Sequence, residues 1–119
     1  MVEVSALQQF LERALCRRKD RYLDFIARPK SRGKFLEAIY HELEYCFDAS
    51  RSVKSLPAQI LDLPALRYKP PKDFGVPMVT LREAFKSEDE SFLAISLDGT
   101  SGIFQPETFR DSRLLFHFK

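Results

Sequence analysis

Glu37, His41, Glu44 and Asp48 follow one another at spacings of four, three and four residues. On an α-helix, at ~100° per residue, those spacings put all four side chains on one stripe, away from Leu36, Ile39 and Leu43. An imidazole beside carboxylates can hold a divalent metal or pass a proton. The same spacing also describes the ordinary solvated face of an amphipathic helix. One helix alone seldom completes a coordination sphere, and no second His-rich element is present to help it. No metal and no cofactor is therefore expected, and His41 with Glu37 and Glu44 is the enzymatic candidate of last rank. The run His41-Glu42-Leu43-Glu44-Tyr45 opens like a zinc-protease helix, but Tyr45 stands where that motif needs its second imidazole. His117 lies between Phe116 and Phe118 and reads as a structural residue of a strand.

Nucleophilic chemistry finds less support. Ser31-Arg32-Gly33-Lys34 matches the S-x-x-K string of penicillin-binding enzymes without its companion motifs. Cys16 and Cys46 fall in helical patterns with no activating helix N-terminus, so they read as reduced, packing thiols. Gly33-Lys34 lacks the upstream glycine of a phosphate loop, and Asp98–Gly102 sits between strand-like runs, where a hairpin turn is the simpler reading.

Charge is the strongest asymmetry. Between Arg13 and Lys34 nine basic residues face only Asp20 and Asp24, which leaves the remaining chain net acidic although the whole carries +2. Arg13, Arg17 and Arg21 are spaced by four and would line one face of a continuous helix. Lys30, Arg32 and Lys34 crowd the turn that follows, beside Arg28. These six, Arg13, Arg17, Arg21, Lys30, Arg32 and Lys34, are the candidates for binding phosphates of a nucleic acid or another polyanion. No nucleic-acid motif accompanies them, and Tyr22, Phe25 and Phe35 fit core positions better than stacking positions. The acidic stripe could equally neutralise the basic segment, within the molecule or between two copies.

The elements that must carry these residues follow from hydrophobic spacing. At 119 residues, 45% hydrophobic and 30% charged, the chain reads as one folded domain over 1–119. Eleven Phe and no Trp point to a core of Phe, Leu and Ile. Val4, Leu7, Leu11, Ala14 and Leu15 recur at helical spacing, and Tyr22, Phe25 and Ile26 resume the pattern. A continuous helix would put Arg18 on the apolar stripe, so a break near Asp20 is favoured, with Asp20 as a possible cap. Leu36, Ile39, Leu43, Cys46 and Phe47 define a helix from Ser31 or Arg32 to Phe47, with Ser31 as its cap. The short 28–31 link makes the two helices an antiparallel pair.

Five of the seven prolines, Pro57, Pro64, Pro70, Pro71 and Pro77, lie between Ala49 and Val79. That segment reads as an extended surface connector with a short helix over Leu56–Leu63. Thr80 and Glu83 form a capping-box pattern that opens a helix to Phe85 or Lys86. Phe92–Leu97, Ile103–Gln105 and Arg113–Phe118 are strand-like. The expected fold is α+β. Its antiparallel helix pair (1–48), proline-rich connector (49–79) and sheet-rich part (80–119) place the pair on one face of a small antiparallel sheet. The apolar run of a signal peptide and the ~20 apolar residues of a spanning helix are both lacking, so the protein is expected in the cytoplasm with no membrane contact.

Pro29-Lys30-Ser31-Arg32-Gly33-Lys34-Phe35-Leu36, followed by His41-Glu42-Leu43 and Phe47-Asp48, resembles a recurring type of small bacterial protein. In that type a basic helix opening precedes a short C-terminal sheet. The resemblance implies a fold type and no activity, and no site residue is carried over from it. Three functions are ranked on the residues: a non-catalytic protein that binds an unknown protein partner or itself, then a nucleic-acid- or phosphate-binding regulator using the basic 13–34 segment, then a small enzyme or metal site around His41.

Overall fold

A computed structural model describes residues 1–107 and 113–118 of the chain. Helix α1 spans Val2–Ala14, α2 Lys19–Ala27 and α3 Arg32–His41. Ala6, Leu7, Phe10, Leu11 and Ala14 form the buried stripe of α1, so Leu7, Leu11 and Ala14 are where the spacing puts them, while Ala6 and Phe10 join the stripe and Val4 stays half-exposed. The helix does break before Asp20. Leu15 leaves the helix to pair with Phe47, bracketed by hydrogen bonds from the Cys16 amide to the Cys46 carbonyl (2.9 Å) and from the Asp48 amide to the Ala14 carbonyl (2.7 Å). Arg18 then turns the chain in the left-handed region, at φ 54°, into α2. Asp20 lies in the first turn of α2 and is not its cap.

The same pairing shortens α3. The expected helix to Phe47 ends at His41, and Leu43–Cys46 continue as a tighter 3₁₀ turn. Phe47 and Asp48 must become extended to reach the end of α1, so helical geometry stops at Cys46. The four-residue stripe from Glu37 to Asp48 is therefore not a single helical face. Ser31 starts α3 without a side-chain capping bond and is itself buried in the 3₁₀ turn Pro29–Ser31.

Among the described residues the sheet has six strands: β1 (Ser52–Val53), β2 (Ala65–Lys69), β3 (Asp73–Met78), β4 (Phe92–Ser96), β5 (Ser101–Gln105) and β6 (Leu114–His117). Every described pair is antiparallel, in the order β1-β6-β5-β4-β2-β3. This corrects the reading of 49–79 as a connector, because that segment supplies three strands and β2 lies inside the sheet. The prolines take positions a sheet tolerates. Pro64 precedes β2, the cis Pro70–Pro71 peptide lies in the β2–β3 connection, and Pro77 sits on β3, which ends the strand order among the described residues, and edge strands are where a sheet tolerates proline.

Both faces of the sheet are covered, not one. Leu66 and Tyr68 of β2, Leu93 and Ile95 of β4, Phe104 of β5 and Phe116 of β6 pack under α1, α2 and α3. The alternate residues Ala65, Phe92, Ala94, Ile103 and Leu115 pack with Leu56, Leu61, Leu81 and Ala84 on the opposite face. There the short helices α4 (Ala58–Leu61) and α5 (Leu81–Lys86) close a second, smaller core. Thr80 begins α5, but its side chain makes no capping bond.

Glycine sets how closely α1 lies on the sheet. A Cβ on Gly102 would meet the Phe10 ring at 2.7 Å and the Ala94 carbonyl at 3.0 Å. Phe10 uses the gap to stand edge-on to Phe116, with centroids 5.4 Å apart, and to touch Phe47 and Phe118. In the β4–β5 turn, a Cβ on Gly99 would come within 2.6 Å of the Ala6 carbonyl. The Asp98 carboxylate holds this turn by accepting from the Thr100 amide (3.0 Å) and from the Ser96 and Thr100 hydroxyls (2.7 and 2.8 Å). Burial pushes the carboxyl up, but these donors outweigh it and hold its pKa below the usual aspartate value.

Two outcomes follow. Gly102→Ala should cost about 1–3 kcal/mol in urea unfolding, and in a Phe10→Leu background that cost should shrink without vanishing, because the Ala94 carbonyl stays in place. The Asp98 pKa is depressed by folding, so its stabilisation is present above the unfolded value and fades as pH falls through the folded one. Thermal melts of Asp98→Asn should therefore lie below wild type near about pH 6, and the gap should narrow as pH falls below the usual aspartate value.

Candidate functional site

The break between α1 and α2 scatters the expected basic face. Arg13 lies in the last turn of α1 and is half-buried, Arg17 is exposed in the joint, and Arg21 belongs to α2, so the three do not share one helical face. Lys30 is exposed in the 3₁₀ turn before α3. Arg32 is committed to the fold: its Nε donates to the Ile26 carbonyl at 3.1 Å and its guanidinium lies over the Phe74 ring at 5.1 Å. Arg28 is held by Asp24 one turn before it.

Two of the six candidates do converge. The Arg21 guanidinium and the Lys34 ammonium approach the ring of Phe25 at 5.4 and 5.8 Å from its centroid. They border an open groove of about 310 Å³ between α2 and α3, whose other walls are Glu37, Tyr40 and Glu42. Cations from α2 and the start of α3 thus stand beside carboxylates from its middle and end. The groove carries both signs around an aromatic floor.

One end of the groove is tied down by a polar cluster. The buried Tyr22 hydroxyl donates to Glu42 Oε2 at 2.8 Å, and Arg18 Nη1 stands 3.7 Å from Glu42 Oε1. The Cys46 thiol lies within reach of the Tyr22 oxygen (3.8 Å) and the Glu42 carbonyl (3.5 Å), and the Cys16 thiol reaches the Cys46 carbonyl at 3.6 Å. Burial first, then the Glu42 and Cys46 contacts, push the Tyr22 phenol well above its ordinary pKa. Tyr22 is therefore a neutral donor that positions Glu42, and it cannot serve as a base near neutrality.

The acidic stripe comes apart. Glu37 remains on α3 in the groove wall, and Glu44 moves into the 3₁₀ turn. Asp48 caps the following turn, accepting from the Ser50 amide at 3.1 Å and the Ser50 hydroxyl at 2.6 Å. His41 ends α3, and its side chain lies outside the described residues. Among the described residues no group of three or more His, Cys, Asp and Glu side chains is placed to hold a metal ion. His117 meets the Ser101 hydroxyl through Nδ1 at 2.9 Å, across the β5–β6 pair.

Compared with protein-family models, curated proteins and solved structures, the chain matches none of them. Among the described residues no helix is long and apolar enough to cross a membrane.

Sequence reasoning missed Glu42, Tyr40 and Arg18 as members of the site. A signal existed for Glu42, since a buried tyrosine needs a partner for its hydroxyl, and Tyr22 sits at a core position of α2. The end of α3 is the nearest acidic stretch on the neighbouring helix.

The two free cysteines differ in access: Cys16 is exposed and Cys46 is buried. Titration of the native protein with a chromogenic disulfide reagent should show one fast thiol, absent in Cys16→Ser. The second should react only under denaturing conditions.

Proposed function

We propose that the protein is a non-catalytic interaction protein and that it pairs with a second copy of itself through the α2–α3 face. The observation that carries this reading is the mixed charge of the groove. Arg21 and Lys34 stand beside Glu37 and Glu42, around Phe25 and Tyr40. A two-fold pairing brings the same patch onto itself, so it favours a surface on which cations and carboxylates lie side by side. Lys34 and Glu37 are three residues apart on α3, so each can face the other's counterpart across a two-fold axis. Tyr40, at 37% exposure, and Tyr45, at 71%, add amphipathic aromatic surface of the kind enriched in interfaces.

The same observation argues against a polyanion. Glu37 and Glu42 would repel phosphates that approach Arg21 and Lys34, and Arg32 is held by internal contacts. Hydrogen bonding in the cluster behind the groove orients Glu42 and involves a phenol that stays protonated, which suits a fixed recognition surface.

Sedimentation velocity at several concentrations tests the reading. The expected species has twice the 13.9 kDa mass of the chain. Lys34→Glu and Glu37→Lys should each weaken association by tenfold or so, about 1.4 kcal/mol, and the double exchange Lys34→Glu/Glu37→Lys should restore it. A monomer at every concentration overturns the proposal. So does an unchanged dimer in both single variants, or salt-sensitive retention on nucleic acid that Lys34→Glu abolishes.

A further inference from the structure

The chain has four tyrosines, and they divide by environment. Tyr22 and Tyr68 are buried, with hydroxyls bonded to Glu42 and to the Glu3 carbonyl. Tyr45 is 71% exposed, and its side chain makes no hydrogen bond and no ring contact among the described residues. A single exposed aromatic residue is ordinary. The backbone beneath this one is not, because it is held on both sides. Tyr45 belongs to the 3₁₀ turn Leu43–Cys46, in which Leu43 and Cys46 are buried, and Phe47 beyond it is paired with Leu15. The core thus fixes the base of an exposed ring, which then loses little freedom when it is covered.

The position of the ring relates it to the α2–α3 groove. The Tyr45 amide donates to the Glu42 carbonyl at 3.1 Å, and side chains three apart in a 3₁₀ turn eclipse one another. Glu42 is part of the groove wall. Tyr45 therefore stands one turn beyond Glu42 on the groove side of the molecule, past the end of its own groove and not among the residues that line it.

We propose that Tyr45 of one copy inserts into the α2–α3 groove of the other, so that each groove is completed by a residue from its partner. The inference rests on the self-pairing reading above and names the side chain that anchors it. Arg21 and Lys34 already approach the ring of Phe25 at 5.4 and 5.8 Å. A second ring entering between them offers its electron-rich face to the same two cations. Its hydroxyl can donate to Glu37, which makes no ion pair among the described residues, whereas Glu42 already accepts from Tyr22. A neutral phenol suits a groove of mixed sign, where an anion meets Glu37 and Glu42 and a cation meets Arg21 and Lys34. The volume of about 310 Å³ is at the small end for ligand clefts, so it takes a ring and not a whole element. Two-fold symmetry makes the contact twice.

Sedimentation velocity on the full-length chain gives the first test. Tyr45→Ala should raise the dimer Kd at least about tenfold while leaving the melting temperature unchanged, because the ring packs on nothing in its own copy. Tyr45→Phe, which keeps the ring, should lose only a few-fold. Contact is tested by placing photoreactive benzoylphenylalanine at position 45, mixing that protein with ¹⁵N-labelled wild type and irradiating. The expected products join an unlabelled peptide carrying position 45 to a labelled one carrying Phe25 or Lys34. Wild-type affinity in Tyr45→Ala overturns the anchor and leaves the dimer standing. Cross-links that form only within one chain, or only to other segments, overturn it as well. A monomer at every concentration removes the dimer and the anchor together.

Discussion

The Phe10 ring seated over Gly102 is the contact on which the rest of the molecule is hung. It lets the α1 backbone approach the sheet closely enough for the β4–β5 turn to touch Ala6. It also joins three segments distant in sequence, because the same ring meets Phe47, Phe116 and Phe118. Once Phe47 is held there, the chain around it must run extended beside the end of α1. That extension ends α3 at His41 and brings Glu42 to the Tyr22 hydroxyl. Packing of one aromatic side chain thus reaches, through backbone pairing, the polar cluster that borders the α2–α3 groove. Aromatic contacts of this kind contribute about 0.5–1.5 kcal/mol each beyond burial, so three on one ring are a large share of a marginal stability.

The uneven charge of the chain has a structural explanation alongside any binding role. Basic side chains of the 13–51 region lie on aromatic rings at the borders of the core: Arg21 and Lys34 on Phe25, Arg32 on Phe74, Arg51 on Phe118. Long cationic stems cover apolar surface while the heads stay wet. A segment of helices laid on a sheet rich in Phe needs such covers along its margin. Arginine suits that position, because its planar head stacks on a ring as well as carrying charge. A surplus of basic residues in one stretch of sequence is therefore a weaker sign of a phosphate ligand here than it would be on a chain without exposed ring edges.

Much of the fold was legible because local signals and tertiary demands agree. The helical spacing of Leu7, Leu11 and Ala14, the interruption before Asp20, and the runs around Phe92, Ile103 and Leu114 all say what the structure does. The errors occur where a long-range contact overrides a local pattern. Leu43, Cys46 and Phe47 keep helical spacing, but pairing with Leu15 draws them out of the helix. Pro64, Pro70, Pro71 and Pro77 suggest a connector, yet each falls where a strand can accept it. Periodicity cannot show that an interior strand lies between such prolines, since Ala65 to Lys69 is too short to declare itself. Within the candidate groove, Arg21, Lys34 and Glu37 were readable as charged positions. Their convergence on Phe25 was not, because it depends on how α2 and α3 cross after a turn whose geometry Pro29 sets.

Strand β2 divides the work between the two faces. Tyr68 points to the helical side, where its hydroxyl donates to the Glu3 carbonyl of α1, and burial with the nearby Glu3 charge raises its pKa so that it stays a donor. Arg67, its neighbour, points to the α5 side. Side chains alternate along a strand, so a slip of one residue would send the guanidinium into the Phe core and the phenol to the rim. The bulge at Gly75 secures the register against that slip. Gly75 leaves room for Glu3, so the docking of α1 and the aim of Arg67 rest on the same residue. A side chain at that position would strain the left-handed backbone and collide with Glu3 at once. It would loosen α1 on one face and shift the Asp73 anchor of Arg67 on the other. The two faces carry different chemistry, but the geometry of both is fixed by one strand and its bulge.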